Sequence, residues 1–279
     1  MIRILHLSDP HFGAADPAVA ARFLAEAGEL SPDLTVLSGD LTMRARRSEL
    51  AEARNFIEHL PRPRLVIPGN HDIPAFNQLF HRFFAPFKRY RGAISRDIEP
   101  VHSAPGLHVV SMNSSKAFGP YPDWSVGRLS RGDLRRAGQR FSSAPGVFRV
   151  LVLHHPLVAP AGRWRDVVQP LPDLLELIAR RRVDLVLCGH FHCSNLSTLG
   201  PPQAWKCVVS QAATVCSNRL QGEPPGYHVI GVAAERIAID RYVFGEEAFE
   251  LEGAYSFVRN EDGWESADTL TRRETVDIK

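Results

Sequence analysis

Five short stretches carry the side chains able to do chemistry: Asp9-Pro10-His11, Gly39-Asp40, Gly69-Asn70-His71-Asp72, His154-His155-Pro156 and Gly189-His190-Phe191-His192. Each closes an apolar, β-favouring run, such as Leu65-Val66-Ile67 ahead of the third. Each therefore reads as a strand end delivering polar groups to the carboxyl edge of a sheet, where open α/β folds place their ligands. Carboxylates, a carboxamide and imidazoles are the ligands that divalent transition metals take. Asp9 and His11, like His190 and His192, are separated by one residue, and on an extended backbone such a pair points the same way. One imidazole after one strand is usually a structural histidine, whereas the same arrangement at five strand ends makes a ligand set. A single ion takes about four to six ligands, so seven or more donors imply two ions sharing a carboxylate. At the fourth stretch the spacing leaves both His154 and His155 as candidates.

The elements that must position these groups alternate strand and helix, then turn β-rich. Residues 2 to 8 form the first strand. Pro17 to Leu30 is a helix with Pro17 in its first turn and Val19, Phe23, Leu24, Ala27 and Leu30 on one face. Asp33 to Ser38 and Arg64 to Ile67 are strands, and between them a helix from about Ser48 carries Leu50, Ala53, Ile57 and Leu60 until Pro61 and Pro63 stop it. The Phe-rich stretch 73–90 reads as a helix interrupted near Pro86, and 91–105 as largely irregular. Leu107 to Met112 is a strand, followed by a long loop holding Tyr121 and Trp124. Ser130-Arg131-Gly132-Asp133 has the form of a capping box opening a helix to about Phe141. Val147 to Leu153 runs into the histidine pair, where Pro156 keeps His155 extended. A loop with Arg163-Trp164-Arg165, a helix on Leu171, Leu174, Leu175 and Ile178, and the strand Val183 to Cys188 complete the alternation. Trp205 to Gln211, Tyr227 to Val232 and Arg236 to Phe244 are successive strands. The expected division is a catalytic domain at 1–245 and a C-terminal extension at 246–279, the latter a short hairpin or edge strand around Tyr255 and Trp264 with a loose tail.

Composition narrows the function classes. With 279 residues, 44% of them apolar, the chain can bury a substantial core. Its 33 basic and 31 acidic residues leave a formal charge of +2, so no net field favours nucleic acid or a membrane surface. No run approaches the roughly 18 to 20 apolar residues of a membrane span. The chain opens directly on Ile2-Arg3-Ile4-Leu5-His6-Leu7, which leaves no room for a signal segment, so cytoplasmic residence is expected. Cys188, Cys193, Cys207 and Cys216 lack paired spacing and suit a reduced state.

Taken in order, Asp-x-His, Gly-Asp, Gly-Asn-His-Asp, a later His and Gly-His-x-His make the signature of the calcineurin-like metallophosphoesterases, which this chain resembles from its first strand to about residue 192. The resemblance implies a four-layer αββα sandwich of two mixed β-sheets flanked by helices. It also implies two divalent transition-metal ions, Mn, Fe or Zn. One ion would take Asp9, His11, Asp40 and His192, and the other Asp40, Asn70, His154 and His190, with Asp40 bridging. His71 would approach the phosphate or protonate the leaving oxygen, oriented by Asp72. The implied reaction is hydrolysis of a phosphodiester by metal-activated hydroxide without a covalent enzyme intermediate. Gly39-Asp40-Leu41-Thr42, Gly69-Asn70-His71-Asp72 and His154-His155-Pro156 look like the bacterial class III cyclic-nucleotide and glycerophosphodiester phosphodiesterases. They depart from the Gly-Asp-x-x-Asp-Arg-Gly and Gly-Asn-His-Glu of the Ser/Thr protein phosphatases. A cyclic nucleotide of the 3',5'-cAMP kind is the leading substrate. A broad phosphodiesterase or DNA-repair-type nuclease is the alternative, nucleic acid being disfavoured by the balanced charge. A catalytically silent metal-binding scaffold is the competitor of a different class, disfavoured because His71 and all seven candidate ligands are present. Trp124, Arg163 and Trp164, in loops leaving strand ends on the metal side, are the candidate substrate-binding residues, through base stacking and a bidentate phosphate grip.

Overall fold

Strands here read as continuous apolar runs because they are buried on both faces, and that fixes the layering. The computed structural model describes residues 1–74, 78–117, 126–142, 146–159 and 167–270. One sheet contains β1 (Ile2–Leu7), β2 (Leu34–Leu37), β3 (Arg64–Val66), β10 (Gly226–Val232), β11 (Arg236–Phe244), β12 (Phe249–Asn260) and β13 (Gly263–Leu270). They lie in the order β13-β12-β11-β10-β1-β2-β3. The other contains β4 (Val101–Ala104), β5 (Leu107–Ser111), β6 (Phe148–Val152), β7 (Leu185–Cys188), β8 (Asn195–Leu199) and β9 (Cys207–Gln211), in the order β4-β5-β6-β7-β9-β8. Both sheets are mixed: β1, β2 and β3 are parallel, as are β5, β6, β7 and β9, while the outer partners run antiparallel.

Adjacent residues of one strand enter different cores, as the pleat requires. Ile4, Val36, Val150 and Leu185 pack between the sheets with Val109 and Ile230. Their neighbours Leu5 and Leu37 face α1 (Pro17–Leu30) and α2 (Arg47–His59) through Phe23, Ala27 and Phe56. Leu151 and Val186 face α5 (Arg131–Ser142) and α6 (Leu171–Arg181) through Phe141, Leu174 and Ile178. Three apolar interfaces separate four layers, helix, sheet, sheet, helix, as the motifs imply. Local signals set the helix starts. Asp16 caps α1 by accepting from the N–H groups of Ala18 and Val19. Ser130 and Asp133 cap α5 reciprocally, Asp133 N–H donating to Ser130 Oγ at 3.1 Å and Ser130 N–H to Asp133 Oδ2 at 2.8 Å.

The stretch from 73 holds two short helices, α3 (Leu79–Phe84) and α4 (Lys88–Ala93), on either side of Pro86, the interruption expected there. Three other expectations change. The irregular stretch 91–105 contains β4, and β8 appears where no strand was expected. Both are edge strands of mixed polarity, Val-His-Ser-Ala and Asn-Leu-Ser-Thr-Leu, whose conformation comes from the partner strand rather than from their own pattern. The C-terminal hairpin is long and continues the first sheet: β12 pairs with β11 along its length, and Trp264 of β13 is buried between the sheets, its Nε1–H donating to Asp184 Oδ1 at 3.1 Å. The loose tail expected beyond it falls outside the described residues. Among the described residues no helix is long and apolar enough to cross a membrane, and all four cysteines are free thiols.

One polar thread crosses the otherwise apolar space between the sheets. His6 of β1 and His228 of β10 are register partners, and Ser210 of β9, in the opposite sheet, joins them. His6 Nδ1 lies 3.0 Å from Ser210 Oγ, which lies 2.8 Å from His228 Nδ1. The outer nitrogens reach Ser38 Oγ at 3.0 Å and Ser194 Oγ at 2.8 Å. Every link can be satisfied with both imidazoles neutral. Burial pushes His6 down to about 3 and His228 well below its ordinary value. Because the unfolded chain protonates His6 near pH 6.5 and the folded chain does not, stability falls as pH drops below that value. Between pH 7.5 and 5 this one group should remove about 2 kcal/mol. The stability of a His6→Gln variant should therefore fall by about that much less than the wild type's over the same interval. Urea midpoints at the two pH values check it, and parallel declines would show that His6 is protonated in the folded protein.

Candidate metal centre

All the motif residues emerge at the carboxyl ends of parallel strands. Asp9 and His11 follow β1, Asp40 follows β2, and Asn70 to Asp72 form a 3-10 turn after β3; His154 follows β6, and His190 and His192 follow β7. The first sheet thus supplies both carboxylates and the second supplies three of the imidazoles. The turns that aim these side chains are unusual. Asp9 (φ 54°), His11 (φ 49°), Asp40 (φ 50°), His190 (φ 78°) and His192 (φ 56°) are left-handed, five of the nine non-glycine residues so placed among the described residues. The left-handed region costs an L-residue roughly 1–2 kcal/mol, so its concentration here marks a site held in shape by its surroundings. Two motif glycines permit the approach of neighbouring turns: a methyl group at Gly69 would overlap the Asp40 carboxylate, and one at Gly189 would overlap Ser8 Oγ and the Asp9 carboxylate.

Inward-facing atoms crowd together. Asp40 Oδ2 lies 3.5 Å from His11 Nε2 and 3.2 Å from His154 Nε2. Asp9 Oδ1 lies 3.6 Å from His11 Nε2 and 3.4 Å from His192 Nε2, and those two nitrogens are 2.9 Å apart. His154 Nε2 is 3.1 Å from Asn70 Oδ1 and 3.3 Å from His190 Nδ1. The outward-facing atoms are fixed by the backbone. His154 Nδ1–H donates to the Ser38 carbonyl at 2.9 Å and His192 Nδ1–H to the Arg219 carbonyl at 2.5 Å. A carbonyl only accepts, so Nδ1 of each carries a proton and Nε2 is the atom each turns inward. Asp9 Oδ2 accepts from His190 N–H at 2.9 Å and Asp40 Oδ1 from His71 N–H at 2.8 Å.

This donor set fits a divalent cation. Asp9 Oδ1 is buried and accepts no hydrogen bond, and lone pairs converging away from water are costly unless a cation satisfies them. Four overlapping trios have ligand atoms close enough to hold an ion: Asp9, His11 and His192; Asp9, Asp40 and His154; His11, Asp40 and His71; and His154, His155 and His190. The paired histidines are placed differently: His154 faces Asp40 and Asn70. His155 turns Nδ1 to Ser114 Oγ at 2.8 Å and lays its ring against His190 with centroids 4.7 Å apart.

Other expectations fare differently. Asp72 does not orient the His71 ring: its two oxygens accept from the N–H groups of Leu41 and Gly69 and from the N–H and hydroxyl of Thr42. It ties the Asp40 turn to the Asn70 turn instead, and burial followed by the nearby Asp40 pushes it up to about 7. The His71 ring is set by the Met43 carbonyl, 2.8 Å from Nδ1, and its Nε2 lies 3.2 Å from an Arg219 guanidinium nitrogen. Trp124, Arg163 and Trp164 lie outside the described residues. Sequence reasoning missed Arg219 and the carbonyls of Ser38, Met43 and Arg219. Backbone acceptors have no side-chain signature, and the one available sign was a lone arginine in the polar turn Ser217-Asn218-Arg219.

Charges in the cluster sustain one another. Burial would raise both carboxyls, but the adjacent His11 and His192 imidazoles hold Asp9 well below its usual range, and the charge of His154 does the same for Asp40. Burial would lower His154, but Asp40 more than offsets it and holds it up at about 9. His11 is lowered by burial to about 4, and His190 by burial and the His154 charge to about 3. A metal must displace the proton of His154. Loading of metal-free protein should therefore release protons and tighten about tenfold per pH unit from neutrality up to about pH 9. Chelator competition at three pH values checks it; a flat affinity would mean that His154 binds no metal.

The comparisons agree with this geometry. The family model for calcineurin-like phosphoesterase matches residues 2–194. A probable cyclic nucleotide phosphodiesterase from Synechococcus is 33% identical over 198 residues, covering 67% of this chain and 70% of that protein. Purple acid phosphatase from yellow lupin seeds aligns with a TM-score of 0.63 at 12% identity, over 98% of this chain and 57% of that one, so this chain spans little more than half the lupin enzyme. GAP50, the anchor in the inner membrane complex of Plasmodium, aligns at 0.59 and 12% identity, over 98% of this chain and 90% of that one. The two structures share the fold. Strand ends, donor set and family model together place the chain in the calcineurin-like phosphoesterases, a family of metal-dependent phosphoester hydrolases.

Proposed function

We propose that this protein hydrolyses a phosphodiester at a two-ion centre, with a cyclic nucleotide as the leading substrate. The observation that carries the reading is the position of Asp40, whose Oδ2 faces His11 Nε2 at 3.5 Å on one side and His154 Nε2 at 3.2 Å on the other. A carboxylate between two donor groups is what a bridged pair of ions needs. On this reading Asp9, His11, Asp40 and His192 hold one ion, and Asp40, Asn70, His154 and His190 the other. Ions in those positions would lower the pKa of a water and offset charge on the phosphate. His71 lies edge-on to His11, centroids 4.8 Å apart, with Nδ1 turned away to Met43. Its Nε2 is therefore the atom turned toward the phosphate and its leaving oxygen. The 33% identical relative supports the nucleotide choice. The four free thiols are compatible with the cytoplasmic setting that belongs to this reading.

A substrate panel on metal-reconstituted protein tests the assignment, comparing cyclic nucleotides, bis(p-nitrophenyl) phosphate, a phosphomonoester and single-stranded DNA. Fastest turnover of the monoester or of DNA would overturn it. Asp40→Ala should keep the fold but lose much of one metal and nearly all turnover; two ions retained with normal turnover would sink the bridge. His71→Ala should keep its metals and slow alkyl diesters by about 100-fold or more, with a much smaller loss on nitrophenyl esters, whose leaving groups need no proton. Equal losses on both would remove His71 from the proton-donor role.

A further inference from the structure

Arg219 sits where two parts of the site meet. Its carbonyl holds the His192 imidazole from behind, while its guanidinium reaches His71 Nε2 at 3.2 Å, with Met43 Sδ 3.8 Å away. The turn that carries it is fastened to the Asp9–His11 turn. Thr214 Oγ donates to the Asp9 carbonyl at 2.6 Å, Val215 N–H to the Ser8 carbonyl at 3.0 Å, and Asn218 N–H to the Ala14 carbonyl at 2.8 Å, while Arg219 N–H is held on Ser217 Oγ at 3.1 Å. The backbone from which this guanidinium extends is therefore fixed against the Asp9–His11 turn.

Its partners do not account for it. A guanidinium has five N–H donors, and among the described residues Arg219 uses a single nitrogen, on an imidazole and a thioether. Arg241, also partly buried, is paired with Glu223 and Glu252, and Arg136 with Asp133 and Glu99. Arg219 has no carboxylate partner among the described residues. The two acids at the site, Asp9 and Asp40, are turned to the imidazoles and would be taken up by metal. What the arrangement lacks is an anion with several acceptor oxygens that can draw the guanidinium off a neutral imidazole nitrogen.

We propose that Arg219 grips a non-bridging oxygen of the substrate phosphate beside His71, leaving His71 Nε2 for the leaving-group side. The inference rests on the phosphodiesterase reading above and adds a residue outside the family motifs. In the free protein the guanidinium rests on His71. With a phosphate in place it transfers its hydrogen bonds to oxygen, so one cation anchors the anion and frees Nε2, until then an acceptor, to take up from solvent the proton it gives to the leaving oxygen.

The test uses metal-loaded full-length protein, with inorganic phosphate as the probe and calorimetry as the readout, so that it does not depend on turnover. Arg219→Gln should keep the metal content, because His192 is held by the backbone carbonyl, and should weaken phosphate about 10- to 100-fold. Arg219→Lys should recover part of the loss, and added guanidinium should restore binding to Arg219→Gln but not change the wild type. Unchanged phosphate affinity in Arg219→Gln, or loss of metal together with phosphate in both variants, would overturn the assignment. Wild-type protein that binds phosphate through Arg219 yet hydrolyses no diester would sink the hydrolase reading and leave this one standing.

Discussion

Two carboxylates, Asp9 and Asp40, are buried side by side at one end of the sandwich, and the surroundings are arranged to tolerate them. Neither has an arginine or lysine partner among the described residues, so their charge is balanced by imidazoles and by backbone N–H groups. Two of those imidazoles, His154 and His192, are aimed in turn by carbonyls that fix the Nδ1 proton. Such an arrangement is poor as a structural salt bridge, because breaking it leaves buried charge uncompensated. It is good as a receptacle for cations, because carboxylate oxygens, imidazole nitrogens and a carboxamide oxygen all point inward.

The receptacle is assembled across the sheet interface. Asp9, His11, Asp40 and Asn70 belong to one sheet, and His154, His190 and His192 to the other. The two trios that include Asp9 draw on both sheets, so the spacing of their donors is the spacing of the sheets, set by the apolar packing around Ile4, Val150 and Leu185 and by the His6–Ser210–His228 thread. A metal held there would also hold the layers together.

Much of this was legible in the sequence because the relevant signals are side chains at strand ends. Asp9, His11, Asp40, Asn70, His190 and His192 stand out by type and spacing, His154 shares its signal with His155, and all of them converge. The layers were legible too, since doubly buried strands announce themselves as unbroken apolar runs. What could not be read was supplied by backbone or by tertiary context. The family resemblance made Asp72 the orienting partner of His71, yet the 3-10 turn sends its carboxylate back to Leu41 and Thr42. The carbonyls behind His71, His154 and His192 carry no residue signature. Strands β4 and β8 are strands because of their neighbours, and the reach of β12 along β11 exceeds what its polar composition suggests.

The left-handed turns at Asp9, His11, Asp40, His190 and His192 also bear on how such a chain can change over evolutionary time. Glycine at any of these positions would relieve backbone strain, and at Asp9 or Asp40 it would also remove a buried charge, so the ligands are maintained against the preference of the fold itself. A lineage released from selection for hydrolysis would gain backbone freedom by shedding them, at the cost of leaving the facing imidazoles and N–H groups unpaired. The first trace of lost activity in such a sequence would be glycines where these residues had been.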